Sequence, residues 1–206
     1  SSPSGVGKTT LAERLLSRRE DVGRSISATT RAPRAGEVDG RDYYFLSRAE
    51  FARRLKAGEF VESANYGGNR YGTLRSEVDR IHETGRHALL VIEVSGARQV
   101  RRRFRSAVQV FLLPPSGREL IRRLIARRTE PAATLKSRLA IAKRELGAVD
   151  EYDYVILNDE LELAVREVSA ILDAESRRVK RQQDVSGRIK QLQREIAAEA
   201  KRLEQI

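Results

Sequence analysis

The chain has 206 residues, 40 of them Lys or Arg against 29 Asp or Glu, for a formal net charge of +11; its length fits one domain, or one domain with appendages. Zero cysteines exclude disulfides, iron–sulfur clusters, Cys-ligated zinc and a thiol nucleophile, and the only histidines, His82 and His87, leave little for an imidazole metal site. No apolar run approaches the ~20 residues that cross a bilayer and no secretory signal opens the chain, so a soluble, cytoplasmic protein is expected.

The first segment in chain order, Ser2-Pro3-Ser4-Gly5-Val6-Gly7-Lys8-Thr9, fits the phosphate-loop pattern G-x-x-x-x-G-K-[ST] with Ser2 in place of the first glycine. Gly5 and Gly7 let the backbone turn its N–H groups onto a phosphate, and the following helix, Leu11–Ser17, points its positive end at the same anion. Lys8 can reach the β- and γ-phosphates of a nucleoside triphosphate, and the Thr9 hydroxyl can hold Mg²⁺. Such a loop normally hangs from a buried strand. Here the chain opens on the loop itself and contains no methionine. A loop without its strand would be held from one side only and would bind ATP poorly.

Residues 25–71 are punctuated by Pro33, Gly36, Gly40, Gly58, Gly67 and Gly68 between short β-like pieces, Tyr43–Phe45 and Phe60–Glu62. This pattern predicts an inserted subdomain with its own small sheet and one helix, near Ser47–Lys56. Ala88–Ile92, Ala107–Leu113 and Tyr154–Leu157 are short, nearly continuous apolar runs, as strands buried on both faces should be. Helix-like spacing occupies Ala97–Phe104, Ser116–Arg127, Thr134–Leu146 and Glu160–Leu172. Strands alternating with helices at this interval predict an α/β fold with a mainly parallel sheet. The last 34 residues, 173–206, carry nine basic and six acidic side chains, one glycine and no aromatic, which predicts a long exposed helix. Val185, Ile189, Leu192, Ile196, Leu203 and Ile206 form a short coiled-coil-like seam interrupted at Glu199, compatible with a homodimer contact or with a helix resting on its own domain.

Ser27-Ala28-Thr29-Thr30-Arg31-Ala32-Pro33-Arg34-Ala35-Gly36-Glu37-Val38-Asp39-Gly40-Arg41-Asp42-Tyr43 closely resembles the signature of the guanylate kinases. The likeness continues through Glu59–Glu62, Asn69–Thr73, Gly96–Val100, Arg127–Thr129 and Val155–Asp159, and covers residues 1–172. It implies a P-loop nucleoside monophosphate kinase fold: a parallel core sheet, a GMP-binding α+β insertion and a helical lid. The corresponding division is core 1–30 with the P-loop, insertion 31–74, core 75–126, lid 127–142, core 143–172 and a helical extension 173–206. The implied activity is Mg²⁺-dependent transfer of the γ-phosphoryl group of ATP to GMP or dGMP, in purine nucleotide metabolism.

The resemblance also implies roles for individual residues. Ser4, Gly5, Val6, Gly7, Lys8, Thr9 and Thr10 match the ATP-phosphate loop, and Asn158, followed by Asp159, the adenine side. Ser27, Arg31, Arg34, Tyr43 and Tyr71 match the grip on the GMP phosphate, a task that suits guanidinium forks and hydroxyls. Glu62 and Thr73 match the guanine-reading positions. A carboxylate there accepts from the base's N1–H and 2-amino group, a donor pair adenine lacks. Lys8, Arg31, Arg127 and Arg138 match the catalytic cations, the last two closing over the triphosphate. Glu93 faces the GMP site, where the family carries aspartate followed two residues later by glutamine; this chain has Glu93 and Ser95. The extra methylene displaces the carboxylate by ~1.5 Å, and misplacement on that scale can cost ~10²-fold in rate, so a slowed enzyme is expected. Arg128 stands at a usual lid glycine and predicts a stiffer bend.

Two rival functions have weaker support. A non-catalytic guanylate-kinase-like module that holds phosphopeptides commonly loses the P-loop lysine and lid arginines, yet Lys8, Thr9, Arg127 and Arg138 are all present. Nucleic-acid binding would use Arg98, Arg101, Arg102, Arg103 and Arg105, but these are spread around their helix without an aromatic stacking array. The expected partners are therefore ATP and GMP, with neither membrane nor nucleic acid.

Overall fold

A computed structural model describes residues 1–126, 132–182 and 184–203. It forms two compact units, Ser1–Val168 and Ser169–Ile206. In the first, α1 (Lys8–Leu16) follows the phosphate loop, and β1 (Val22–Arg24) pairs in parallel with β6 (His87–Leu89). A second parallel pair joins β7 (Val110–Leu113) to β8 (Tyr154–Leu157). The apolar run predicted as a strand over 88–92 pairs only as far as Leu89, because β1 offers three residues; the remainder leads into α4 (Val94–Arg103). The strand predicted from Ala107 starts at Val110.

The loop is anchored at its entry. The Ser1 nitrogen donates to the Val110 carbonyl at 2.8 Å and the Ser1 carbonyl accepts from Leu112 N at 2.8 Å, so the expectation of a loop held from one side is corrected. Phe111 is fully buried in the core beside β7, where it clusters with Val94 and Ala148 and meets Tyr152 edge-on at 4.8 Å.

The predicted insertion is a four-stranded sheet in the order β3-β2-β5-β4, built from β2 (Ser27–Thr29), β3 (Tyr44–Phe45), β4 (Phe60–Tyr66) and β5 (Asn69–Leu74). It packs on α2 (Arg48–Lys56), whose Ser47 cap accepts from the Glu50 N–H at 3.1 Å, the Ser-x-x-Glu arrangement of a capping box. Phe51 stacks on Phe60 at 4.4 Å in a core completed by Ala28 and Leu74. Removing either ring would cost ~3–5 kcal/mol. From β5 the chain enters α3 (Arg75–Glu83) directly. There Glu77, 3% exposed, accepts from Ile26 N, the Tyr44 hydroxyl and Arg80, and so ties α3 to the sheet.

After β7 come α5 (Gly117–Ala126) and α6 (Ala132–Leu146), then a 3₁₀ turn, Val149–Glu151, leading to β8 and α7 (Leu161–Ser176). Arg127 and Arg128 lie outside the described residues. The tail predicted as one helix is broken: α7 ends at Ser176 and α8 (Val185–Leu203) begins afresh. Asp184, at φ 52°, caps α8 by accepting from Gly187 N at 3.2 Å. A Cβ on Gly187 would fall on that carboxylate, so the Asp-x-x-Gly pair starts α8. Within the second unit Glu175 pairs with Arg178 and Arg181. On α8, Ile189, Leu192, Ile196 and Leu203 are exposed; Ile206 lies outside the described residues. No described helix is long and apolar enough to cross a membrane.

Candidate active site

The phosphate loop owes its shape to two glycines and three braces. Gly5 and Gly7 stand at φ 89° and 109°, a region open to glycine at no steric cost. A Cβ on Gly7 would come within 2.8 Å of the Asn158 amide nitrogen. That amide, buried at the end of β8, donates to the Val6 carbonyl at 2.7 Å, and Arg123 of α5 donates to the same oxygen at 3.1 Å. Val6 is fully buried, so it presents backbone, not side chain, to a phosphate. Ser2 takes the place of the pattern's first glycine without strain, since Asp184 is the only non-glycine at positive φ among the described residues. Its carbonyl accepts from Lys8 Nζ at 2.6 Å.

Lys8 also pairs with Glu93 at 3.3 Å. The longer glutamate arm thus reaches the P-loop cation, so the Glu93 departure has a definite partner. A further carboxylate joins this pair electrostatically. Glu145 of α6 is pushed up to about 7, first by burial and then by the Glu93 charge, with Lys8 pulling the other way. Sequence reasoning missed Glu145; nothing along the chain marks it, because its neighbours come from the P-loop and from the start of α4. Thr9 and Thr10 are exposed on the first turn of α1.

On the acceptor side, Glu62 is 4% exposed and its Oε1 accepts from the Thr73 hydroxyl at 2.8 Å across the β4–β5 pair. Burial raises its pKa, Glu93 adds to the rise, and the Thr73 bonds oppose it. A bulge between Phe60 and Glu62 aims the carboxylate at the first turn of α4. There Gly96 leaves the room: a Cβ would stand 2.4 Å from Glu62 Oε2. The helical spacing read from the sequence begins at Ala97, so the role of Gly96 in admitting this carboxylate was not marked along the chain.

Arg31 lies over the Tyr43 ring at 5.3 Å and pairs with Glu37 at 2.8 Å, while Glu37 also takes the Arg34 N–H at 2.7 Å. Those contacts hold the Glu37 carboxyl below its usual range. Tyr43 and Tyr71 meet edge-on at 6.1 Å, and Tyr71 bonds Arg31. Ser27 sits opposite Thr73 in the β2–β5 pair. Ser27, Glu62, Tyr71 and Thr73 thus lie on strands of one sheet, Arg31 and Tyr43 flank it, and Arg34 is exposed on the loop beside them. Arg138 lies on α6, half-buried; Arg127 lies outside the described residues.

A glycine-turned loop carrying Lys8 and an arginine–tyrosine cluster thus share the unit with the buried Glu62 carboxylate. The family model described as guanylate kinase matches residues 1–175. The guanylate kinase of Synechococcus elongatus is 50% identical over 170 residues, covering 82% of this chain and 93% of that protein. That of Desulfitobacterium hafniense is 47% identical over 181 residues, covering 88% and 90%. Among solved structures, the guanylate kinase from Anaplasma phagocytophilum superposes with a TM-score of 0.74 at 37% identity, over 87% of each chain. The chain has the fold of a P-loop nucleoside monophosphate kinase and belongs to the guanylate kinase family.

Proposed function

We propose that the protein transfers the γ-phosphoryl group of ATP to GMP, or to dGMP, giving ADP and GDP (or dGDP) in the cytoplasm as a step of purine nucleotide metabolism. The observation that carries this reading is the buried Glu62 carboxylate, bonded by Thr73 and facing the first turn of α4, whose N-cap Glu93 pairs with the P-loop lysine. A carboxylate so desolvated gains most from a partner offering two N–H donors, and guanine does so through N1–H and the 2-amino group.

A phosphate oxygen of GMP forms the new bond to the γ-phosphorus as the bond to the bridging oxygen of ADP breaks, and the electron pair leaves on ADP. Ser4 to Thr10 would cradle the triphosphate with backbone N–H groups, with Lys8 on its β- and γ-oxygens and Asn158 on the adenine side. Lys8 would exchange Glu93 and the Ser2 carbonyl for phosphate. Arg31, Arg34, Ser27, Tyr43 and Tyr71 would hold the GMP phosphate in line, with Arg31 leaving Glu37 for it. Glu93 would face the acceptor nucleotide, and Arg127 and Arg138 would neutralise charge on the migrating group.

The residues present suit Mg²⁺: Thr9, exposed on the first turn of α1, offers a hard hydroxyl oxygen where the phosphate loop ends. The ion would therefore be held by Thr9, the nucleotide phosphates and water, and would neutralise charge on those phosphates. The test is an acceptor panel of GMP, dGMP, AMP, IMP and UMP with ATP. Turnover confined to the guanine nucleotides, with weaker use of IMP, is expected; no ADP formation at saturating GMP would overturn the proposal.

A further inference from the structure

In the sheet order β3-β2-β5-β4, β4 is an edge strand, and its outer rim of N–H and C=O groups needs partners. They come from a helix. The Gln99 amide clasps Ser63 on both sides, accepting from its N–H at 3.2 Å and donating to its carbonyl at 2.6 Å. One turn on, Arg103 Nη1 donates to two successive carbonyls, Phe60 and Val61, each at 3.0 Å. Two neighbouring carbonyls converge on one nitrogen because the strand is bulged there. Residues 60, 61 and 63 are thus fixed by α4, and Glu62 is the residue between them. Gly96, Gln99 and Arg103, spaced three and four apart, form one stripe of that helix.

We propose that Gln99 and Arg103 are positioning residues for base recognition: they lock the bulged edge of β4 so that the Glu62 carboxylate meets both N–H donors of guanine at once. The proposal rests on the GMP-kinase reading above. A forked contact tolerates ~0.5 Å of error, so a loosened strand keeps a bond to N1–H and loses the one to the 2-amino group first. IMP differs from GMP by that amino group alone, and the GMP-to-IMP ratio of kcat/KM therefore reports the position of Glu62.

The experiment measures that ratio, and KM for ATP, in the wild type, Gln99→Ala, Gln99→Glu, Arg103→Leu, Arg103→Lys, Glu62→Gln and the Glu62→Gln/Gln99→Ala double variant. Losing the second hydrogen bond is worth ~10-fold in the ratio, so Gln99→Ala and Arg103→Leu should bring it down ~10-fold with KM for ATP unchanged. Gln99→Glu keeps the side-chain size and the acceptor for Ser63 N–H but not the donor, and should lower the ratio in the same direction. Arg103→Lys, which keeps one donor, should recover most of it. In the Glu62→Gln background Gln99→Ala should add little. A wild type that discriminates GMP from IMP beside variants that discriminate equally well, whatever their thermal stability, overturns the proposal and leaves the kinase reading standing. Full additivity in the double variant overturns it too. A wild type that neither binds GMP in calorimetry nor phosphorylates it overturns the kinase reading, and this proposal with it.

Discussion

Glu145 shows how much of the site exists only in three dimensions. Its carboxyl, pushed up to about 7, holds a proton in the folded protein that it releases in the unfolded chain near the ordinary 4.5. The stabilisation from that proton is complete below 4.5 and is lost as pH rises through about 7. Glu145→Gln removes this dependence. In urea unfolding at pH 5 and pH 8 the variant should gain on the wild type as pH rises, and a constant gap would refute the assignment. Glu62 was legible from its place in the signature, but the cause of its burial, the absence of a side chain at Gly96, was not. Replacing it by glutamine keeps an oxygen for Thr73 but offers guanine a donor where it needs an acceptor. GMP kcat/KM should fall ~10²–10³-fold without gain toward AMP, as an acceptor assay would show.

At the scale of elements, α4 organises both proposed nucleotide sites. Its N-cap Glu93 pairs with the P-loop lysine, its third residue Gly96 admits Glu62, and its outer half clasps β4. Gly96→Ala separates stability from function. Gly96 is helical, so alanine fits the backbone and brings up to ~1 kcal/mol of helix propensity. Its Cβ, 2.4 Å from the carboxylate, would displace the flexible end of Glu62. Thermal unfolding should show a protein at least nearly as stable as the wild type, while KM for GMP rises ~10-fold or more and KM for ATP stays put. Elements whose periodicity ran for several turns, α5, α6 and α7, were read within a few residues. Strand ends were not, because pairing length depends on the partner: Leu90–Ile92 are as apolar as β6 yet have no opposite strand beyond β1. The start of α8 was written in Asp184 and Gly187, but composition alone spread one helix across it.

For the whole molecule, the +11 excess sits on a surface where many of the arginines are already paired locally. Arg98 with Glu151, Arg101 with Asp153, and Arg122 and Arg123 with Glu119 are exposed or half-exposed ion pairs, which solvent and salt screen. Three of the five arginines singled out for nucleic acid, Arg98, Arg101 and Arg103, already hold protein acceptors. Every described residue assigned to either nucleotide lies in the unit Ser1–Val168. Truncation after Gln182, which removes α8, should therefore leave kcat and both KM values within about twofold in a coupled ADP assay. A tenfold loss would show that the tail takes part in catalysis.

The bulge in β4 also has a consequence for how this sequence can vary. Side chains alternate faces along a strand, so residues two apart share a face. Phe60 pairs with Leu74 and Glu62 with Thr73, which are adjacent and face opposite ways. The extra residue, Val61, is what lets β4 send Phe60 into the ring stack with Phe51 and Glu62 into the site. Core and pocket are thus joined by parity. Were β4 regular through Phe60, Val61 and Glu62, the phenyl ring and the carboxylate would share a face, leaving either a carboxylate against Phe51 or a phenyl ring beside Thr73.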